Sequence, residues 1–108
     1  MTDKIVVLST SGSADEAEKI ARGVVDSRLA ACVSIVPGVR SIYRWKGKVE
    51  DDAEFLLVVK TRRELLPQVE ETIVRLHSYS VPETIALPIV DGAAAYLDWL
   101  DRETKPEE

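Results

Sequence analysis

The chain has 108 residues, of which 45% are apolar and 31% charged, and its formal net charge is −5. That length supports one small domain with a modest core, and the acidic balance argues against non-specific DNA or RNA binding, which needs a positive field to release counterions. One cysteine, Cys32, excludes an intramolecular disulfide framework, no targeting pattern opens the chain, and no stretch nears the ~20 apolar residues of a membrane span, so a soluble cytoplasmic protein is expected.

Ile5 to Leu8 forms a β-branched run that ends in Ser9, Thr10, Ser11 and Gly12, which predicts a buried strand followed by a polar turn. Ser13 and Glu16 then match a capping box, and Ala17, Ile20, Ala21, Val24 and Val25 continue at helical spacing to about Arg28. A second β-rich run, Ala31 to Val36, is interrupted by Pro37-Gly38, a predicted bend or bulge because proline cannot donate to a central ladder. The pattern resumes at Val39 to Trp45, with Val39, Ser41, Tyr43 and Trp45 on one face. Lys46-Gly47-Lys48 is the predicted turn. Glu54 to Thr61 forms the return strand, its Glu54, Leu56, Val58 and Lys60 opposite Phe55, Leu57, Val59 and Thr61.

Thr61 and Glu64 resemble another cap, but a helix begun there would carry Pro67 in its interior. A loose turn over 62–66 and a helix from about Pro67 fit better, with Val69, Ile73 and Leu76 as its buried stripe and His77 near its end. Ser78 to Pro82 reads as a linker and Thr84 to Leu87 as a fourth strand, which Pro88 either marks as an edge or terminates. Asp91-Gly92 turns into a short helix from Ala93 to about Leu100, contacting the body through Tyr96, Leu97 and Leu100, and a charged tail from about residue 102 is expected to fray.

Two strand–helix–strand units around a central hairpin predict an α+β fold, the split βαβ or ferredoxin-like sandwich, with a long hairpin and a short C-terminal helix in a single domain over 1–108. Two helices cover one sheet face only, yet both faces of these strands are apolar. Val6 and Leu8, for instance, lie opposite Ile5 and Val7. A second copy of the chain is the expected cover, and the overreaching hairpin, with Tyr43 and Trp45 near its tip, is expected to meet it.

No phosphate loop, dinucleotide fingerprint, zinc helix or paired-cysteine site is present. Gly12 within Ser-Thr-Ser-Gly-Ser is either an anion nest or a plain capping turn. Cys32 is either a small buried hydrophobe, a thiolate nucleophile, or a soft donor that joins His77, the only histidine, in holding copper or zinc. His77 is equally a helix-end residue that bonds a free carbonyl. Lys60 interrupts an apolar strand and points to an edge, a cleft or a carboxylate, for which Glu83 is a candidate. Sheets of this class that bind RNA use central-strand aromatics, and here the aromatics lie at the hairpin and the termini.

Several segments together resemble the CutA family, the divalent-cation tolerance proteins: Leu29-Ala30-Ala31-Cys32-Val33, Pro37-Gly38, Ser41-Ile42-Tyr43-Arg44-Trp45-Lys46-Gly47-Lys48, Glu54 to Thr61, Leu76 to Glu83, and Tyr96-Leu97-Asp98-Trp99-Leu100. The resemblance covers about residues 4 to 101. It implies a non-enzymatic homotrimer that pairs through sheet faces and hairpin strands, with an architecture similar to the PII signalling proteins, whose trimers bind small ligands between subunits. It further implies tolerance to divalent metals and binding of copper(II) or another divalent cation. On this resemblance Cys32 and His77 are the metal-site residues, and Lys60, Tyr79 and Glu83 line a cleft between subunits for a small molecule or anion. No catalytic residue, nucleic acid or membrane is implied. Some bacterial members carry a cysteine at the position of Ser9 and a second histidine at that of Leu76, and the usual histidine-proline-tyrosine is here His77-Ser78-Tyr79.

Overall fold

The computed structural model describes residues 2–104 in the order β1 (Lys4–Ser11), α1 (Ala14–Asp26), β2 (Cys32–Trp45), β3 (Lys48–Arg62), α2 (Leu66–Leu76), β4 (Ile85–Pro88) and α3 (Ala94–Glu103). The strands form one sheet ordered β2-β3-β1-β4 with every neighbouring pair antiparallel. This is the expected α+β, ferredoxin-like arrangement.

β1 runs three residues beyond the predicted strand. Ser9, Thr10 and Ser11 were expected in a turn, but they pair with Leu57, Leu56 and Phe55 and are buried. The turn preference of serine and threonine is weaker than a ladder already held by β3. α1 starts as predicted, with the Ser13 hydroxyl accepting from the Glu16 amide at 3.2 Å. The other half of the expected capping box is missing, because the Glu16 side chain reaches Ser11 and Ser78 instead of the Ser13 amide. The helix ends two residues earlier than expected, at Asp26. Arg28 takes a left-handed conformation at φ 62°, and the Arg28 and Leu29 amides bond Val25 and Val24 carbonyls in a Schellman closure.

The β2–β3 hairpin carries the molecule's long dimension of 44 Å. Its register slips between Val36 and Val39, so Pro37-Gly38 is a bulge, with Gly38 at φ 76°. Trp45 pairs with Lys48 across Lys46 (φ 50°) and Gly47 (φ 79°), the two positive angles of a type I′ turn. After a short 3-10 turn at Arg63–Leu65, α2 begins with Pro67 in its first turn, where the missing amide costs no hydrogen bond.

The core lies between the two helices and one sheet face. Ile20 and Val24 of α1 and Val69 and Ile73 of α2 close on Val7, Leu57 and Val59. Each such fully buried aliphatic side chain contributes roughly 1.5–3 kcal/mol. The opposite face has no helical cover. Val6, Leu8, Leu56 and Val58 are half-buried there, and Ile85 and Leu87 on the edge strand are 51% and 50% exposed.

α3 packs at the Lys4–Arg62 end of the sheet through Leu100, while Tyr96, expected as a contact, is exposed. The helix continues through Arg102 and Glu103, two residues into the segment expected to fray. Two arginines hold that end: Arg28 donates to the Arg102 carbonyl at 2.6 Å, and Arg62 donates to the buried Thr104 hydroxyl at 3.0 Å. The rest of the expected tail, 105–108, lies outside the described residues.

Candidate functional site

The chain from 77 to 83 leaves the C-terminus of α2, passes the Ser11 end of β1, and reaches the open sheet face at the base of the hairpin. His77 anchors this passage. Its side chain is fully buried, Nε2 lies 2.6 Å from the Thr10 carbonyl, and Nδ1 lies 3.0 Å from the Tyr79 amide. A carbonyl only accepts and an amide only donates, so the proton sits on Nε2 and Nδ1 is the acceptor. Both ring nitrogens are thereby used.

Glu16 secures the same passage from α1. Its carboxylate accepts from the Ser78 amide at 3.1 Å, lies 3.1 Å from the Ser11 hydroxyl, and comes within 3.3 Å of His77 Nδ1. Burial on its own would raise the Glu16 carboxyl, but the hydrogen bonds from Ser78 and Ser11 outweigh it and hold the group below its ordinary value. Sequence reasoning read Glu16 only as a capping residue.

Tyr79 then turns onto the open face, where its hydroxyl donates to Glu54 Oε2 at 2.8 Å. Gly12 permits this approach, since a Cβ there would stand 3.0 Å from the Tyr79 oxygen. Gly12 thus stands beside a phenol, directly ahead of the Ser13 cap of α1. Glu54 itself is only 5% exposed, on the strand face it shares with Leu56 and Val58. Burial, together with the Glu54 carboxylate, pushes the Tyr79 phenol well above the usual tyrosine range. Tyr43 donates to Asp52 at 2.5 Å, and this bond, with burial and the neighbouring carboxylates, pushes its phenol up to about 12.

These groups surround a pocket of about 650 Å³ whose walls include Thr10, Tyr43, Trp45, Glu54, Tyr79 and Glu83. The volume is that of a small-molecule site. Tyr79 and Glu83, expected at a cleft between subunits, both stand on the wall of this pocket within one chain. The shared face of Ser41, Tyr43 and Trp45 was legible in the sequence, and all three line the pocket. Glu54 was missed, although a carboxylate in step with Leu56 and Val58 on an apolar strand was a readable signal.

Lys60 lies elsewhere. It pairs with Cys32 across β2 and β3, and its ammonium donates to the Ser34 hydroxyl at 3.2 Å and approaches Cys32 Sγ at 3.9 Å. The structure thus gives Lys60 hydroxyl and thiol neighbours in place of the carboxylate of Glu83. It also separates Cys32 from His77 within the chain. Cys32 sits level with Lys60 on the open face, whereas His77 bonds Thr10, which is level with Leu56. Four ladder positions correspond to about 13 Å along the strands. Among the described residues, no group of three or more His, Cys, Asp and Glu side chains is placed to hold a metal ion.

The model of the CutA1 divalent ion tolerance protein family matches residues 5–103. The divalent-cation tolerance protein CutA of Thermus thermophilus is 52% identical over 99 residues, which cover 92% of this chain and 96% of that protein. The chloroplastic CutA protein of Arabidopsis thaliana is 48% identical over 101 residues, and the chain spans 94% of its own length but 56% of the plant protein's. Among solved structures, the Thermus thermophilus protein superposes with a TM-score of 0.92 at 51% identity, over 94% of this chain and 99% of that one. The Archaeoglobus fulgidus protein, described as periplasmic, reaches 0.92 at 38% identity over 94% and 99%.

Proposed function

The chain belongs to the CutA1 family of divalent ion tolerance proteins, and from that premise we propose that it acts, without catalysis, as a homotrimer in the response to divalent cations. The observation that carries the assembly is the apolar sheet face left uncovered across β1, β3 and β4. A patch of that extent is an interaction surface. The projecting hairpin and the exposed edge strand β4 are different surfaces, so joining one to the other is a head-to-tail contact, which stays finite only by closing into a ring. The resemblance to the family supplies the number three.

Copper(II) or another divalent cation is the proposed ligand. Of the two expected donors, Cys32 is favoured over His77. Its thiol lies on the open face, where another copy can add ligands, while His77 is engaged by Thr10 and Tyr79. The cytoplasm is the compartment that a single free thiol favours. The test is calorimetric titration of the size-verified oligomer with copper(II) and zinc, alongside Cys32→Ala and His77→Ala. The expected result is one copper site per chain that Cys32→Ala abolishes and His77→Ala retains. Copper uptake unchanged by Cys32→Ala would overturn the assignment.

A second reading, a PII-like sensor of small molecules or anions bound in clefts between subunits, is favoured by one specific observation. The hairpin-base pocket has the volume of a ligand site and gathers Tyr79 and Glu83.

A further inference from the structure

We infer that Lys60 of one copy is the counter-ion of Glu54 in the next, an ion pair that exists only in the assembly and sets its register. This inference rests on the homotrimer reading above. It starts from two opposite charges that a single chain leaves uncompensated on the same open face. Glu54 is 5% exposed, and among the described residues its carboxylate receives one side-chain hydrogen bond, from the Tyr79 phenol. A carboxylate offers about four acceptor sites, and a charge buried with so little compensation is costly. Lys60 is half-buried. Its ammonium has the Ser34 hydroxyl and the Cys32 thiol as partners among the described residues, and no carboxylate.

The two charges cannot meet within a chain. They stand six residues apart on β3, about 20 Å along the strand. A head-to-tail ring joins them by another route. The edge open to a neighbour's hairpin is β4, which is exposed along its length. Leu87 of β4 pairs with Val6, Val6 with Lys60, and Lys60 with Cys32, so one row of the ladder leads from that edge to the ammonium. Lys60 is the one charged residue in the row. A hairpin laid against β4 arrives beside it, and the open-face side of β3 in that hairpin carries Glu50, Asp52 and Glu54 against a single cation, Lys48. The surfaces are complementary in charge.

Burial selects Glu54 among the acids. Asp52 already accepts from Tyr43, while Glu50 and Glu83 keep contact with water. Glu54 alone is shut away from solvent, and it lines the hairpin-base pocket, through which a lysine stem from the next copy reaches its carboxylate.

Subunit exchange between isotopically light and heavy oligomers, followed by native mass spectrometry, tests the pair in wild type, Lys60→Met, Glu54→Gln and the double variant. Truncating one partner of a buried interfacial charge pair acts mainly on dissociation, so each single variant should exchange about thirtyfold faster. The double variant should exchange no faster than the faster single, because the pair is lost only once. Positions so far apart on one strand add independently within a chain, so this coupling arises only between copies. Single effects that multiply in the double variant, or a single variant exchanging at the wild-type rate, would overturn the pair and leave the trimer standing. Should a single variant lose its folded oligomer, the charge swap Lys60→Glu with Glu54→Lys decides. Recovery of the wild-type mass supports the pair, and a swap no better assembled than Lys60→Glu alone overturns it. A monomeric wild-type chain would overturn the homotrimer reading itself.

Discussion

Two serines on the same strand, two residues apart, are both completely buried, and they should respond to alanine with opposite signs. The Ser9 hydroxyl has no hydrogen-bond partner. The Ser11 hydroxyl lies 3.1 Å from the Glu16 carboxylate and 3.2 Å from the Ser13 carbonyl, and it accepts the Ser13 amide at 3.4 Å. An orphaned buried hydroxyl costs about 1–3 kcal/mol. Removing the Ser9 oxygen leaves a void of roughly 15 Å³, which costs only about 0.4 kcal/mol. Ser9→Ala is therefore expected to stabilise the fold by about 1 kcal/mol, or roughly 4–8 °C in Tm for a domain of this size. Ser11→Ala removes a bond to a charged partner and should destabilise by about 1.5–3 kcal/mol. Urea denaturation at one fixed protein concentration, followed by circular dichroism, reads both. Ser9→Cys, which fills the site with a small apolar group, should move with Ser9→Ala. Destabilisation by Ser9→Ala and Ser9→Cys alike would refute the reasoning, because it would mean that the Ser9 hydroxyl is satisfied.

Two further substitutions test the local devices that position the pocket. Glu16 has a folded pKa below its ordinary value of 4.5, so its contribution to stability is complete above that pH and is lost as pH falls through the lowered folded value. Glu16→Gln should lower stability at neutral pH and flatten the acid limb below about pH 4.5; an unchanged acid limb in a denaturant series across that range would contradict the role given to Glu16. Lys46→Asn places the Asn-Gly pair favoured by type I′ turns on the positive angles at 46 and 47, and should stabilise the hairpin by about 0.5 kcal/mol. Slower amide exchange at Trp45 and Lys48 would register that gain, and faster exchange would contradict it.

Much of the fold was legible because two periodicities and three breakers carry it. Alternation marked the faces of β3, helical spacing marked most of the buried stripes of α1 and α2, with Val25 exposed and Thr72 buried against expectation, and Pro37-Gly38, Lys46-Gly47 and Pro67 marked the bulge, the turn and the late helix start. Ser9 to Ser11 were misread because local turn preference was weighed without the ladder that β3 offers them. The α3 terminus was misread for a similar reason, since Arg28 and Arg62, distant in sequence, hold its last carbonyls. The site was half legible. Tyr79, Glu83, Tyr43 and Trp45 meet, but grouping Lys60 and Cys32 with His77 needed a distance along the sheet that no spacing in the chain encodes.

The claim on which the rest depends is that copies of this chain cover the bare sheet face. Sedimentation equilibrium on the wild-type protein, beside a variant carrying Ile85→Glu and Leu87→Glu, tests it most directly. Both positions are half exposed on the edge strand, so charge there is tolerable in a folded single chain and costly inside an apolar interface. The account predicts the mass of three chains for the wild type and a shift to a single folded chain for the variant. A monomeric wild type, or a variant that remains a trimer at the same concentration, would contradict it.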